Sequence, residues 1–152
     1  MTAVAHRVQF HQASCRGCRR TFLIPALGDQ SFGQFIFHGV NGSAFGFLSA
    51  LEEPVWNDIE ARLRGAGLFT TPDSRRQIEH LQRVVAASAD PIGGQTLLLY
   101  PICPGCRSRS IDYGDSDPLE IREVPGVTFR QYQLLSEDRK TESLQKLWTQ
   151  CA

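Results

Sequence analysis

Two short cysteine pairs constrain this chain more than any other feature of its sequence: Cys15-Arg-Gly-Cys18 and Cys103-Pro-Gly-Cys106. Zn2+ binds four thiolates in a tetrahedron, and a two-residue spacer lets one tight turn direct two sulfurs at one ion. The glycine at the third position of each pair supplies a backbone conformation that other residues resist. The four cysteines therefore predict one structural Zn2+ ion held by two zinc knuckles. Because four thiolates fill the coordination shell, that metal should not activate water.

A redox-active cysteine pair is the alternative interpretation of a C-x2-C motif. In its favour, residues 95–102 have the pattern of a buried strand that runs into the second pair. A redox pair, however, lies at the N-terminus of a helix, which lowers the thiol pKa, whereas residues 107–115 have no helical apolar period and favour an extended strand. We therefore prefer the zinc interpretation. Cys151 is interpreted as an incidental thiol, and His11, close to the first pair, would be a redundant ligand.

Apolar or β-favouring runs enter and leave both knuckles, at residues 8–13 and 21–24 and at residues 96–100 and 110–113. In these runs and in the four cysteines the chain resembles the zinc ribbons, small folds in which two knuckles at the tips of β-hairpins clamp one ion. The resemblance implies a structural metal and no particular activity. Residues 19–102 separate the knuckles, a longer stretch than a plain ribbon has, so we expect them to form a folded insertion.

Length and charge limit the classes of protein to which the chain can belong. Its 152 residues predict a single domain, 1–152, long enough to bury a core without disulfides. Lysine plus arginine equals aspartate plus glutamate at 16 each, so no global field attracts nucleic acid or an anionic membrane. The sequence has no secretory signal and no long apolar run. We therefore expect a cytoplasmic protein without a membrane partner, whose paired cysteines remain thiolates.

A β-hairpin is the clearest element between the knuckles. Two apolar runs flank Asn41-Gly42, the strongest short signal for a two-residue type I′ turn. The resulting register places His38 opposite Phe45 and makes both faces of the hairpin apolar. Such a hairpin must be covered on both sides, by the chain itself or by a partner.

The remaining segments complete an α+β fold: a small antiparallel sheet with a four-cysteine zinc ribbon at one end, a helical insertion between the knuckles, and a helical C-terminus. Turns are predicted at Gly28-Asp29 and over residues 114–118. The other predicted elements are a helix opened by Glu52-Glu53-Pro54, a helix from Pro72 to about Ser88 with Thr71 as its N-cap, strands over 96–100 and 119–124, and two helices within 128–150, the second capped by Ser136.

No catalytic constellation is evident in the sequence, so we expect no enzyme. Gly114-Asp115-Ser116 resembles the nucleophile block of one class of hydrolases, but those enzymes need a downstream histidine, and the last histidine here is His80. We expect His80 to be solvated on its helix. His38 lies among phenylalanines and isoleucine, where desolvation would lower its pKa. We interpret it as a core histidine bonded to backbone, with a catalytic role as the alternative.

These observations favour a non-enzymatic, zinc-stabilised module that binds another protein. Small bacterial adaptors, accessory proteins and immunity proteins that mask a toxin or effector have this profile. The candidate partner-binding residues are Phe35, Phe37, His38, Phe45, Phe47, Arg19 and Arg107. A nucleic-acid-binding zinc ribbon is the alternative, because several arginines would converge around the metal, but the acidic stretch 112–123 and the zero net charge argue against it. An enzyme whose site no local motif reveals is the third and least favoured interpretation.

Overall fold

The computed structural model describes residues 5–27, 32–114 and 117–151. The predicted α+β class is confirmed, with the strands divided between two antiparallel sheets rather than gathered in one. The predicted turn at Gly28-Asp29 and the middle of the predicted turn 114–118 lie outside the described residues. The elements in chain order are β1 (His6–Cys15), β2 (Thr21–Ala26), β3 (Gln34–Gly39), β4 (Phe45–Ser49), α1 (Pro54–Gly65), α2 (Arg75–Ser88), β5 (Leu97–Leu98), β6 (Ile111–Asp112), β7 (Glu120–Val124), α3 (Arg130–Gln133) and α4 (Glu137–Gln150).

Strand β1 is the centre of the first sheet and contributes to two different cores. It pairs with β2 on one side, and on the other side with β7 near its start and with β6 near its end. Val8 and Phe10 are buried on one face, whereas Ala13 and Cys15 are buried on the opposite face, because the step from Phe10 to Ala13 is odd. The first half of β1 therefore packs against the second sheet, and the second half leads into the first knuckle.

The second sheet consists of the predicted hairpin, β3 and β4, with β5 on the other side of β3. The register of the hairpin is confirmed, with His38 opposite Phe45. Ile36 on one face packs against the first sheet, and Phe37 on the other face belongs to the apolar cluster formed with α1, α2 and α4. The chain itself therefore covers both faces of the hairpin.

The predicted type I′ turn at Asn41-Gly42 is wrong. A type I′ turn needs a positive φ at both central residues, and of these two only Gly42 has one, at 76°. The hairpin closes instead through a four-residue loop, in which Gly39 N–H donates to Ala44 O and Gly42 N–H donates to Gly39 O, both at 2.8 Å. Asn41 N–H donates to the Gln95 side chain at 3.0 Å. A tertiary contact thus overrides the local preference for the tighter turn.

The two insertion helices are present, but α2 begins later than predicted and leaves Ile78 exposed. Helix α1 begins at Pro54, as predicted, and the side chain of Glu53 caps it. Helix α2 begins after Ser74, whose hydroxyl accepts the Gln77 N–H, and the predicted N-cap Thr71 is wrong. Ser74 N–H donates to Thr71 O at 3.0 Å, so the intervening residues form a turn before the helix. Two N-cap residues compete in this stretch, and the second of them starts the helix.

Helices α3 and α4 complete the helical cluster. The carboxylate of Asp90, distant in sequence, accepts the Arg130 N–H at 2.8 Å and so caps α3. Helix α4 begins after Ser136, as predicted, and packs against α2. There His80 stacks on Trp148 with ring centroids 3.7 Å apart, and its Nε2 lies 2.7 Å from Trp148 O, so the prediction that His80 is solvated is wrong. Within the described residues, no helix has the length and apolar character needed to cross a bilayer.

Candidate metal centre

The four paired cysteines meet at one point of the folded chain. Their Sγ atoms all lie within 4.8 Å of one another. Between the knuckles, Cys15 Sγ is 3.5 Å from Cys106 Sγ, and Cys18 Sγ is 3.6 Å from Cys103 Sγ. Metal–sulfur bonds of about 2.3 Å in a tetrahedron separate the sulfurs by roughly 3.8 Å. The four sulfurs therefore lie close enough together to hold one metal ion.

The two knuckles repeat the same hydrogen bonds. In the first, the N–H groups of Gly17 and Cys18 donate to Cys15 Sγ at 3.3 and 3.5 Å. In the second, the equivalent N–H groups donate to Cys103 Sγ at the same two distances, 3.3 and 3.5 Å. An N–H donor favours the thiolate over the thiol, because it lies at the positive end of an amide dipole. Each turn thus stabilises a sulfur in the charged form that binds metal.

Arginine, and not the predicted glycine, takes the unusual backbone conformation in each knuckle. Arg19 and Arg107 have φ values of 62° and 61°, whereas Gly17 and Gly105 are not among the glycines with positive φ. Each arginine N–H donates to the carbonyl of the first cysteine of its knuckle, at 2.8 and 2.9 Å. The glycines instead leave room between the knuckles, since a Cβ at Gly105 would lie 3.0 Å from a guanidinium nitrogen of Arg20.

Strand pairing brings the knuckles together across a long stretch of chain. Strand β6, which leaves the second knuckle, pairs with the end of β1, which enters the first, so that Ile111 lies opposite Cys15. Arg16 N–H also donates to Ser110 O at 2.9 Å. The first knuckle is at the tip of the β1–β2 hairpin, as in zinc ribbons. The second is not at the tip of a hairpin, contrary to the prediction, because the strand before it, β5, pairs with β3 in the other sheet.

The loop at residues 40–43 of the second sheet braces the second knuckle. A Cβ at Gly42 would lie 2.6 Å from Ile102 O, so the loop backbone touches the segment that leads into Cys103. The buried side chain of Gln95 fixes the loop, because its Oε1 accepts the Asn41 N–H at 3.0 Å and its Nε2 bonds a serine hydroxyl of the loop. Sequence patterns contain no signal for Gln95, since its partners lie more than fifty residues away in the chain.

Two of the sulfurs face the interior and two face solvent. Cys15 and Cys103 are exposed over only 1 % and 0 % of their surface, whereas Cys18 and Cys106 are exposed. The buried pair lies against a small apolar cluster that includes Ala13, Ile24 and Ile111. One side of the site is therefore dry and rigid, and the other side forms part of the molecular surface.

The thiols of the cluster differ in acidity. The Cys18 N–H lowers the pKa of Cys15 to about 6. Burial opposes ionisation of Cys103, but the N–H groups of its own knuckle outweigh burial and lower its pKa. The pKa of Cys106 is raised to about 11, because the adjacent Cys15 sulfur and burial outweigh the Ser108 N–H. Without a metal, the Cys106 thiol therefore keeps its proton at pH 7. A divalent cation bound between the four sulfurs would displace that proton, since it favours the thiolate at every ligand.

The metal-binding group in the described part of the chain consists of these four cysteines, without His11 or Cys151. No helix follows the second pair, since residues 107–110 are irregular and lead into β6. A thioredoxin-like site is therefore not supported, because such a site needs a helix N-terminus at its cysteines.

The aromatic residues predicted to bind a partner lie largely inside the molecule. Phe37, His38 and Phe47 are exposed over 0 %, 6 % and 8 % of their surface, so they offer little surface to a partner. Phe35 and Phe45 are half-buried, and each packs against another aromatic ring of the chain. The two faces of the hairpin are thus used for the internal core.

The arginines predicted to bind a partner, Arg19 and Arg107, are fully at the surface. They belong to a group of exposed arginines on the two knuckle loops, here called the arginine face: Arg16, Arg19, Arg20, Arg107 and Arg109. None of the five forms an ion pair with an acidic residue of the described chain. The metal site is therefore bordered by uncompensated positive charge.

His38 is a core histidine, but the predicted hydrogen bond to backbone is not found among the described residues. Its Nδ1 is buried without a hydrogen-bond partner, and its ring meets Phe45 edge-on with centroids 5.7 Å apart. Burial lowers the pKa of His38 to about 4, so the ring is neutral at pH 7. A catalytic role for His38 stays a prediction.

Two clefts of the described chain lie away from the metal centre. His80 and Cys151 line one cleft of about 330 Å³, but His80 Nε2 is bound to Trp148 O, and burial raises the pKa of Cys151. A groove of about 580 Å³ lies between β4, the start of α1 and residues 126–133. Comparison with protein families, with curated proteins and with solved structures gives no match for the chain.

Proposed function

We propose that the chain is a non-enzymatic protein-interaction module in which one structural Zn2+ ion ties the two knuckles together. The convergence of four Sγ atoms within 4.8 Å, from two knuckles with the same N–H···S bonds, is the observation that carries this proposal. Four thiolates complete the coordination of Zn2+, so no position remains for water or substrate. A tetrahedral set of four sulfurs also suits iron, and the identity of the metal is therefore the first point to test.

Metal analysis of protein purified without added metal tests the zinc site. We expect one zinc per chain, and no visible colour of the kind that iron–thiolate centres give. Cys15→Ser should lower both the zinc content and the melting temperature. Cys151→Ser is the matched control, because Cys151 lies outside the cluster and should leave both unchanged. A Cys15→Ser protein that keeps a full complement of zinc and an unchanged melting temperature would contradict the proposal.

Two observations support a protein as the partner. The arginine face has no counterions within the described chain, and the net charge of zero gives no general attraction to polyanions. Affinity capture with the zinc-loaded chain, after nuclease treatment of the lysate, tests this part. We expect a protein to be retained by the wild type and by Cys151→Ser and to be lost with Cys15→Ser. Capture that disappears after nuclease treatment would instead indicate nucleic acid.

A further inference from the structure

We infer that the arginine face is the surface that binds the partner, and that it binds an acidic segment of that protein. This inference rests on the proposed function and adds the place and the chemistry of the contact. The face surrounds the two solvent-exposed cysteines, Cys18 and Cys106, so the metal site holds both of its loops in position. Guanidinium groups bind carboxylates through paired hydrogen bonds, which makes an acidic segment the matching ligand.

Backbone strain singles out two arginines of this face. Arg19 and Arg107 are the non-glycine residues with positive φ in the described chain, and they occupy equivalent positions of the two knuckles. Glycine takes this conformation without strain, whereas a side chain with a Cβ is disfavoured there. Both side chains extend into solvent and form no ion pair within the described chain. Hydrogen bonds within the knuckles impose this conformation, and strain of this kind collects at functional positions, so these two exposed side chains are the first candidates for contact with the partner.

The charge of the arginine face is not neutralised from within the described chain. A Zn2+ ion with four thiolates carries two negative charges, fewer than the five arginines carry positive ones. Two glutamates of the stretch 112–123 lie away from the face: Glu120 pairs with Arg122, and Glu123 lies opposite Arg7 near the other end of β1. Asp112, beside the first knuckle, accepts the N–H of Gly114. The face therefore retains positive charge that a partner can neutralise.

A cavity next to the face offers an anchor point. It has a volume of about 230 Å³, and its lining includes Arg109 of the arginine face, Arg83 of α2 and Tyr100. Arg83 lies 5.8 Å from the centre of the Tyr100 ring, and Tyr100 is exposed over 48 % of its surface. Arginine and tyrosine are enriched at the centres of protein interfaces, where one inserted side chain contributes much of the affinity. Arg83 is already paired with Glu79 at 3.0 Å, so Arg109 is the guanidinium of this cavity that an acidic side chain of the partner can bind.

The extent of the face favours a protein over nucleic acid. Its charge is confined to two short loops, residues 16–20 and 107–109. Tight binding along a phosphate backbone uses about six to ten contacts, and every phosphate beyond the knuckles carries a further negative charge. Farther along the same sheet the exposed side chains include Glu123, which repels phosphate. A folded protein can present a compact acidic segment that ends where the arginines end.

The double variant Arg19→Gly/Arg107→Gly tests the inference, because it should change stability and affinity in opposite directions. Glycine relieves the backbone strain, whereas the loss of two guanidinium groups weakens binding to the partner. Binding is measured by fluorescence anisotropy with a labelled ten-residue peptide of alternating Glu and Ser, at low salt and with zinc-loaded protein. We expect about tenfold weaker binding, since two arginine–carboxylate contacts are lost, with zinc content unchanged and a melting temperature that is equal or higher. Arg7→Ala/Arg139→Ala is the matched control, because it removes two exposed arginines remote from the knuckles and should change the affinity less than about twofold.

Several results would overturn the inference. These are no peptide binding by the folded wild type, equal losses in the test and control variants, and loss of zinc together with a lower melting temperature in the glycine variant. Labelled duplex DNA or single-stranded RNA that binds more tightly than the peptide at about 200 mM salt, and is released by the glycine variant, would make nucleic acid the ligand. If the glycine variant keeps its zinc and still captures the native partner, the proposed function stands and this inference fails.

Discussion

Replacing His38 by phenylalanine should stabilise the protein and remove a pH dependence that the buried imidazole creates. The ring is exposed over 6 % of its surface, and Nδ1 has no hydrogen-bond partner. A buried polar atom without a partner costs roughly 1–3 kcal/mol. Phenylalanine has a similar planar shape and no polar atom, and an aromatic ring at this position already meets Phe45 edge-on. We therefore expect His38→Phe to raise the free energy of unfolding at pH 7 by about 1 kcal/mol.

The pH dependence of stability provides the second magnitude. Burial lowers the pKa of His38 from 6.5 to about 4, so between these values the unfolded chain binds a proton that the folded chain does not. The free energy of unfolding therefore has its full value above pH 6.5 and decreases as the pH falls towards 4. Between pH 7 and 5 the wild type should lose about 2 kcal/mol through His38 alone.

Urea unfolding of both proteins at several pH values measures the effect. Protons also compete with the metal for the four cysteines, which makes the stability of both proteins depend on pH. This contribution is the same in the two proteins, so it cancels when the variant is compared with the wild type at each pH. Their difference in unfolding free energy should grow by about 2 kcal/mol from pH 7 to pH 5. A difference that stays constant over this range, or a variant that is less stable at pH 5, would refute the argument from desolvation.

Three further predictions concern the parts of the fold that support the site. Gly42→Ala should lower stability by at least about 1–2 kcal/mol and weaken zinc retention. The reason is that φ at this residue is 76° and the new Cβ would lie 2.6 Å from Ile102 O. Thermal unfolding and metal analysis measure the two effects. Asp90→Ala should cost about 1–2 kcal/mol at pH 7 by removing the cap of α3. Burial raises the pKa of Asp90, but its hydrogen bonds outweigh burial and lower the pKa below 3.8. The free energies of unfolding of the variant and the wild type, measured in urea, should therefore become equal as the pH falls below 3.8 and Asp90 is protonated. Zinc removal should raise amide hydrogen exchange around both knuckles and leave α1, α2 and α4 protected.

Local signals in the sequence were sufficient wherever one short segment determines its own structure. The spacing of Cys15, Cys18, Cys103 and Cys106 predicted a cluster that the fold assembles. The register of the hairpin was predicted as well, because a four-residue loop over residues 40–43 and a two-residue turn at its centre align the same partners. The start of α1 at Pro54 and the cap of α4 at Ser136 were also correct, since each signal lies directly before the apolar stripe of its helix.

The errors arose from contacts between distant segments and from local hydrogen bonds that sequence patterns do not reveal. The strand before the second knuckle was assigned to a hairpin around that knuckle, but Leu97 is fully buried beside β3, which offers a free edge. The positive φ was assigned to the knuckle glycines, but hydrogen bonds to the first cysteine of each knuckle impose it on Arg19 and Arg107. Asp90 and Gln95 act on residues far away in the chain, and no periodicity reveals such contacts.

The metal should control the knuckles more than the fold as a whole. Strand β6 is only two residues long, so its pairing with β1 is too short a ladder to hold the second knuckle by itself. The main apolar cluster, which includes Phe37, Ile59 and Leu144, contains none of the four metal ligands. Zinc removal should therefore release the knuckle loops while the helical cluster remains folded, and a global loss of protection would show that the core depends on the metal. Hydrogen bonds within the knuckles fix Arg19 and Arg107, so the arginine face should form only in the metal-bound chain. We therefore expect conditions in which the helical cluster stays folded without zinc but the acidic segment of the partner no longer binds.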